Sequence, residues 1–218
     1  MTDTPIVSLV KNKQPRGQQV DDVHYDRIIE FRPFPKIARL FTTITVTEKL
    51  DGSNAAVVVT EDGEVLAQSR NRFITPGKLT DNYSFAQWVE NNAAALVDLG
   101  PGVHFGEWWG EGIARRYSMS RKVFSLFNTE RFGDNRPDCC DVVPVLFKGE
   151  FDHNAVIDAM AKLRAEGSAA SPGFMNPEGV MVYHHAAQRY FKAPFDTLPK
   201  GLWNVVRWAI NDEGQLAA

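Results

Sequence analysis

The sequence predicts an α+β fold dominated by antiparallel sheet, with its helices at the periphery. Three observations carry this. Strand-type runs, β-branched or alternating, recur from Ile44 to Phe195. A short turn segment, Glu61-Asp62-Gly63-Glu64, joins the runs Ala55–Thr60 and Val65–Ser69 as a hairpin. Only a few stretches keep a helical period of apolar residues. At 218 residues, 44% hydrophobic and 23% charged, the chain suits a single domain over 1–218 with a substantial core. Residues 1–22 are polar and read as a loose arm.

In chain order, Pro33 and Pro35 break any helix between Ile28 and Leu40, and Phe31, Phe34, Ile37 and Phe41 are expected to cover one edge of the core. Ile44–Thr47 then alternates apolar and hydroxyl side chains and leads into Lys49, with Asp51-Gly52 as a turn before the strand Ala55–Thr60. Beyond Val65–Ser69 the cluster Ser69-Arg70-Asn71-Arg72 closes a strand. Ser84 predicts a helix N-cap, with Phe85, Trp88, Val89, Ala93, Leu96 and Val97 on the buried side and Gly100 at the end.

Val103–Gly110 reads as a strand that places Glu107 among aromatics and glycines, where a carboxylate needs a partner. Arg115 and Arg116 fall in the loop that follows. In Lys122–Asn128 the two-residue period puts Val123, Ser125 and Phe127 on one face and Phe124 and Leu126 on the other. Val142–Phe147 reads as a short buried strand. A helix follows Asp152-His153-Asn154 with apolar positions Val156, Ile157, Met160 and Leu163, ending at Gly167, and 167–172 reads as an exposed loop. Glu178-Gly179 stands at the start of an apolar strand, Lys192 at the end of another, and Leu202–Ala209 is amphipathic.

A formal net charge of −3 excludes a generally cationic nucleic-acid coat protein, so any such contact must come from local basic patches. No apolar run reaches a membrane span and Met1–Pro5 has no signal-peptide pattern, which predicts a cytoplasmic protein, in the host cytoplasm if phage-encoded. Cys139 and Cys140 are neighbours, read as reduced structural thiols.

The order of polar clusters, with EKLDGSN, FGEWWG and NPEGVMVY, resembles the covalent nucleotidyltransferase superfamily of ligases and capping enzymes from about Phe34 to Lys200. Asn54 after the Lys-x-Asp-Gly turn makes the chain most similar to phage-type ATP-dependent RNA ligases. The residues after Lys192 are too few for the OB-fold domain appended in DNA ligases and capping enzymes, so an adenylyltransferase domain alone is expected. The resemblance implies the antiparallel-sheet nucleotidyltransferase (ligase adenylation-domain) fold with peripheral helices. It implies ATP and Mg²⁺, with Mn²⁺ as a substitute, and RNA 5′-phosphate and 3′-hydroxyl ends as substrates. Lys49 would be the nucleophile that forms lysyl-AMP, helped by Glu178, which would also bind the metal, and by Lys192.

Glu48, Asn54, Arg70, Glu107 and Lys192 would bind ATP, and Phe127 would stack on adenine, with Phe124 the alternative if the strand register shifts. Arg72, Arg115, Arg116 and Lys122 would contact the nucleic acid. Positive charge from Lys192, Arg70 and Mg²⁺ would help make the Lys49 amine nucleophilic. The chain departs from the family at the usual Lys-x-Lys pair, because either Pro194 stands at the second lysine's place or Tyr190 at the first, and at Asn128, where related ligases often have aspartate. A ligase for DNA or hybrid nicks and a catalytically inactive nucleotide- or RNA-binding module are the competing readings.

Overall fold

The computed structural model describes residues 33–199 and 201. Contacts divide the chain into units 1–38 and 39–218. In the first unit, residues 33–38 have no regular secondary structure, and Phe34 and Ile37 are exposed, not core cover. Prolines at 33 and 35 keep this stretch out of any helix that would turn those side chains onto one face. Phe41 is also exposed, its ring only edging Phe151. Phe31, the 1–22 arm, Lys200 and the amphipathic Leu202–Ala209 stretch lie outside the described residues.

The second unit holds two sheets. The strands are β1 (Thr43–Lys49), β2 (Ser53–Val59), β3 (Val65–Ser69), β4 (Phe73–Ile74), β5 (Gly102–Gly110), β6 (Lys122–Leu126), β7 (Cys140–Val142), β8 (Val145–Glu150), β9 (Gly179–His184) and β10 (Arg189–Pro194). One sheet runs β10-β9-β1-β8 and the other β4-β3-β2-β5-β6-β7. Every pairing is antiparallel except β6 with β7. With helices α1 (Phe85–Leu96), α2 (Thr129–Phe132) and α3 (His153–Glu166), this is the expected α+β architecture.

The six-stranded sheet is backed by α1. Phe85, fully buried, packs its ring 5.1 Å from Phe124, 5.4 Å from Trp108 and 5.6 Å from Trp88. The four-stranded sheet is backed by α3, whose Met160, Ala161 and Leu163 meet Ile44, Val46, Val180 and Val182. The side-chain alternation that buries Ile44 and Val46 against α3 leaves Thr45, Thr47 and Lys49 on the opposite face.

Three local expectations are corrected. Ser84 occupies the α1 N-cap position in a left-handed conformation with no capping bond from its side chain; the Asp81 carboxylate accepts from Ala86 N–H (2.8 Å) and Gln87 N–H (3.0 Å) instead. The single strand expected over Val142–Phe147 is two strands in different sheets. Pro144, which lacks an N–H, stands between them and gives its carbonyl to Glu48 N–H (3.0 Å). Finally, the loop after α3 is not simply exposed, because Ser168 and Ser171 are buried and hydrogen-bonded within the chain.

Candidate active site

Lys49 ends β1 in the four-stranded sheet, and β2 begins four residues later in the six-stranded sheet, so the Asp51-Gly52 turn is a crossover between sheets. Glycine is required there by close approach: a Cβ on Gly52 would lie 2.5 Å from the Trp108 carbonyl oxygen and 2.7 Å from Trp109 Cβ. The turn is thereby pressed onto β5, and Gly52 N–H donates to Glu107 Oε1 at 3.0 Å. This is the partner that a carboxylate on an aromatic strand demanded.

A cleft of about 600 Å³ opens between the sheets at this crossover. Of the residues singled out in the sequence, Glu48, Lys49, Asn54, Arg70, Glu107, Phe127 and Lys192 line it. Glu178 joins them through its side chain, Lys49 Nζ donating to Glu178 Oε2 at 2.6 Å, with both groups largely shielded from solvent. The register explains the meeting, since Lys49 lies opposite Gly179 on β9. Gly179 has φ 146°, and a Cβ there would lie 2.7 Å from Pro194 Cα, so β10 packs against the segment that delivers Glu178.

Burial pushes the Glu107 carboxyl up to about 7; Lys49 and the Gly52 N–H draw it down, and the neighbouring Glu178 and Asp51 carboxylates push it up. Glu107 and Glu178 thus share the field of Lys49, while Asp51 pairs with Arg115. Among the described residues no group of three or more His, Cys, Asp or Glu side chains forms a ready metal cage. Mg²⁺ needs few protein ligands and retains water and phosphate oxygens. Glu178, shielded and beside a cleft large enough for a nucleotide, therefore suits a divalent cation.

Phe127 is half-buried and lines the cleft, whereas Phe124 is fully buried in the α1 core, so only Phe127 is available to a ligand. Asn128 caps α2, its side chain accepting from Arg131 N–H, which gives the Asn-for-Asp departure a local structural role. Glu48 is buried and its Oε2 accepts Ala170 N–H at 2.9 Å; burial pushes this carboxyl up. Its carboxylate anchors the loop after α3 through Oε2, at a residue that also lines the cleft.

Arg72, Arg115, Arg116 and Lys122 do not line the cleft. Arg72 and Arg116 are exposed and Lys122 half-exposed, while Arg115 is bonded to Asp51, Asp196 and the Asn176 carbonyl. Sequence reasoning overlooked Met181, Tyr190, Val143, Asn71 and Asn82 as lining residues. Two of these had a signal. Met181 alternates with the buried Val180 and Val182, and Tyr190 lies on the same face of β10 as Lys192. Tyr190 therefore stands beside Lys192 at the cleft, in the place where one alignment of the family pair would put a lysine.

A sequence model of the RNA ligase family matches residues 42–193, from just before β1 to β10. The chain belongs to the RNA ligase family. No curated protein matches its sequence significantly. Solved structures of Naegleria gruberi RNA ligase share the fold. A mutant with ATP and Mn is 22% identical with a TM-score of 0.53. A mutant with AMP and Mn is 20% identical with a TM-score of 0.53, and the structure with pyrophosphate is 21% identical with a TM-score of 0.52. Each match covers 70% of this chain and 49% of the other, so this RNA ligase family member spans about half the length of those proteins. No helix among its described residues is long and apolar enough to cross a membrane.

Proposed function

We propose that this chain is the adenylyltransferase domain of an ATP-dependent RNA ligase. The observation that carries the reading is the position of Lys49, at the crossover between two sheets, in a nucleotide-sized cleft and paired with Glu178 at 2.6 Å. Family membership supplies the substrate class, and the Naegleria gruberi structures with ATP, AMP and Mn support ATP and a divalent cation as the reactants here.

The amine must leave its ion pair and lose a proton before it can attack. Glu178 Oε2 is a hydrogen-bonded acceptor for that proton. Lys49 Nζ then bonds to the α-phosphorus of ATP as the bond to pyrophosphate breaks, giving lysyl-AMP. Phe127 and Met181 offer apolar surface to the base, and Asn54, Arg70 and Glu107 polar contacts to ribose and phosphate. Lys192 contributes positive charge toward the departing pyrophosphate. A divalent cation held by Glu178, phosphate oxygens and water would supply charge neutralisation when bound.

AMP passes next to an RNA 5′-phosphate, forming a pyrophosphate bond and freeing Lys49. A 3′-hydroxyl then displaces AMP and forms the phosphodiester. Arg72, Arg116 and Lys122, outside the cleft, are the proposed strand contacts, and their contribution will fall with salt.

The test is a joining assay on 5′-phosphorylated RNA with ATP and Mg²⁺. RNA should be sealed by the unmutated protein and not by Lys49→Ala. Sealing of DNA alone would contradict the RNA assignment, and neither sealing nor AMP transfer to RNA would favour an inactive binding module.

A further inference from the structure

Arg115 touches three segments that the sequence keeps far apart. Its Nε donates to Asp51 Oδ2 (3.0 Å), its Nη2 to Asp196 Oδ2 (2.8 Å), and its Nη1 to the Asn176 carbonyl (3.3 Å). Asp51 is two residues after Lys49, Asn176 two before Glu178, and Asp196 four after Lys192. The loop that carries Arg115 leaves β5, the strand of Glu107. A planar guanidinium can satisfy several acceptors in a fixed fork, which a flexible ammonium cannot.

The same loop makes a second hold on the nucleophile's turn. Asp51 N–H donates to the Tyr117 hydroxyl at 2.8 Å, and Tyr117 is fully buried against Trp109 and Phe174. The Tyr117 carbonyl accepts from Ser171 Oγ, in the loop whose Ala170 N–H holds Glu48. Both flanks of Lys49 are therefore anchored to one network. Ala114, Arg116, Tyr117 and Ser118 all have φ between 42° and 60°, a conformation that side chains with a Cβ disfavour. Such strain persists only where the surroundings over-determine the backbone.

We propose that Arg115 is a positioning residue for adenylylation, tying the Lys49 turn to the segments that deliver Glu178 and Lys192, and that it is not an RNA contact. This rests on Lys49 being the nucleophile, as argued above. Small displacements of reacting groups are enough to cost about 100-fold in rate.

The test measures single-turnover lysyl-AMP formation across ATP concentrations, with the fraction of active protein taken from the adduct amplitude. In Arg115→Met the maximal rate should fall about 100-fold, with half-saturating ATP changed by less than about threefold. Arg115→Lys should recover part of the loss. Asp196→Asn should slow the step about tenfold alone and add nothing further in the Arg115→Met background, because the two share one interaction. Asp196 lies at the surface, so this variant decides the matter if Arg115→Met does not fold. A purely structural role would lower amplitude and leave the rate per active molecule unchanged, overturning the proposal. So would an unchanged rate with weakened RNA binding, which would make Arg115 a phosphate contact. No adduct on the unmutated protein would overturn both this proposal and the nucleophile assignment, whereas normal rates in the variants overturn only the role of Arg115.

Discussion

The six-stranded sheet lies on a core of four interlocking aromatic rings, Phe85, Trp88, Trp108 and Phe124, with α1 across its back. The four-stranded sheet is backed by the aliphatic side of α3, and its outer strand is exposed from Arg189 to Lys192. The first sheet supplies Asn54, Glu107 and Phe127, and the second supplies Lys49 and Lys192. Groups suited to recognise a nucleotide thus stand on or beside the heavily packed sheet, and groups suited to react with it on the thinner one. The cleft joins them where a single glycine turn passes from one sheet to the other.

The contrast in packing predicts the largest effect. Phe85→Ala should cost about 3–5 kcal/mol of stability, and more than Met160→Ala under α3, when both are followed by denaturant unfolding. A greater loss at Met160 would break the distinction between a thick and a thin sheet. Glu178→Ala should slow lysyl-AMP formation by about 100-fold, near 2.7 kcal/mol, with little change in melting temperature. An unchanged rate would remove Glu178 from the reaction. Gly52→Ala forces a Cβ into the Trp108 carbonyl and should destabilise by about 1–3 kcal/mol, lowering adenylylation as well. A tolerated alanine would show that the crossover is not pressed onto β5.

A smaller effect should appear with pH. The folded Glu107 carboxyl titrates near 7 against an ordinary 4.5, so between these values the folded chain binds more protons than the unfolded one. Its contribution to stability is present below pH 4.5 and is lost as pH rises through 7. After screening, that loss amounts to roughly 1–2 kcal/mol, and Glu107→Gln should flatten it in melting curves taken from pH 5 to 8. A slope of the same size in the variant would assign it to another group.

Much of this is legible in the sequence. β3 begins and ends where the run Val65–Ser69 does, after the 61–64 turn and at the Ser69–Arg72 cluster, and Lys49, Asn54, Arg70, Glu107, Phe127 and Lys192 do line one cleft. Local patterns reach that far because alternation fixes the face of a strand and turn residues fix its ends. They do not say which sheet a strand joins. Asp51-Gly52 has the chemistry of a hairpin turn, and only the tertiary pairing of β1 with β9 and β2 with β5 makes it a crossover. Likewise the polar 167–172 stretch looked solvated, yet Gly167, Ser168 and Ser171 within it are buried where the segment donates to Glu48 and Tyr117. The bonds of Arg115 to Asp51 and Asp196 were not legible either, since nothing in its neighbourhood announces partners so distant in sequence.

The nucleophile assignment is tested most directly by intact mass after incubation with ATP and Mg²⁺, with the adduct then located by peptide fragmentation. One AMP per chain, on Lys49 and missing from Lys49→Ala, is the predicted result. An AMP adduct on another residue, or one that survives in Lys49→Ala, would contradict it.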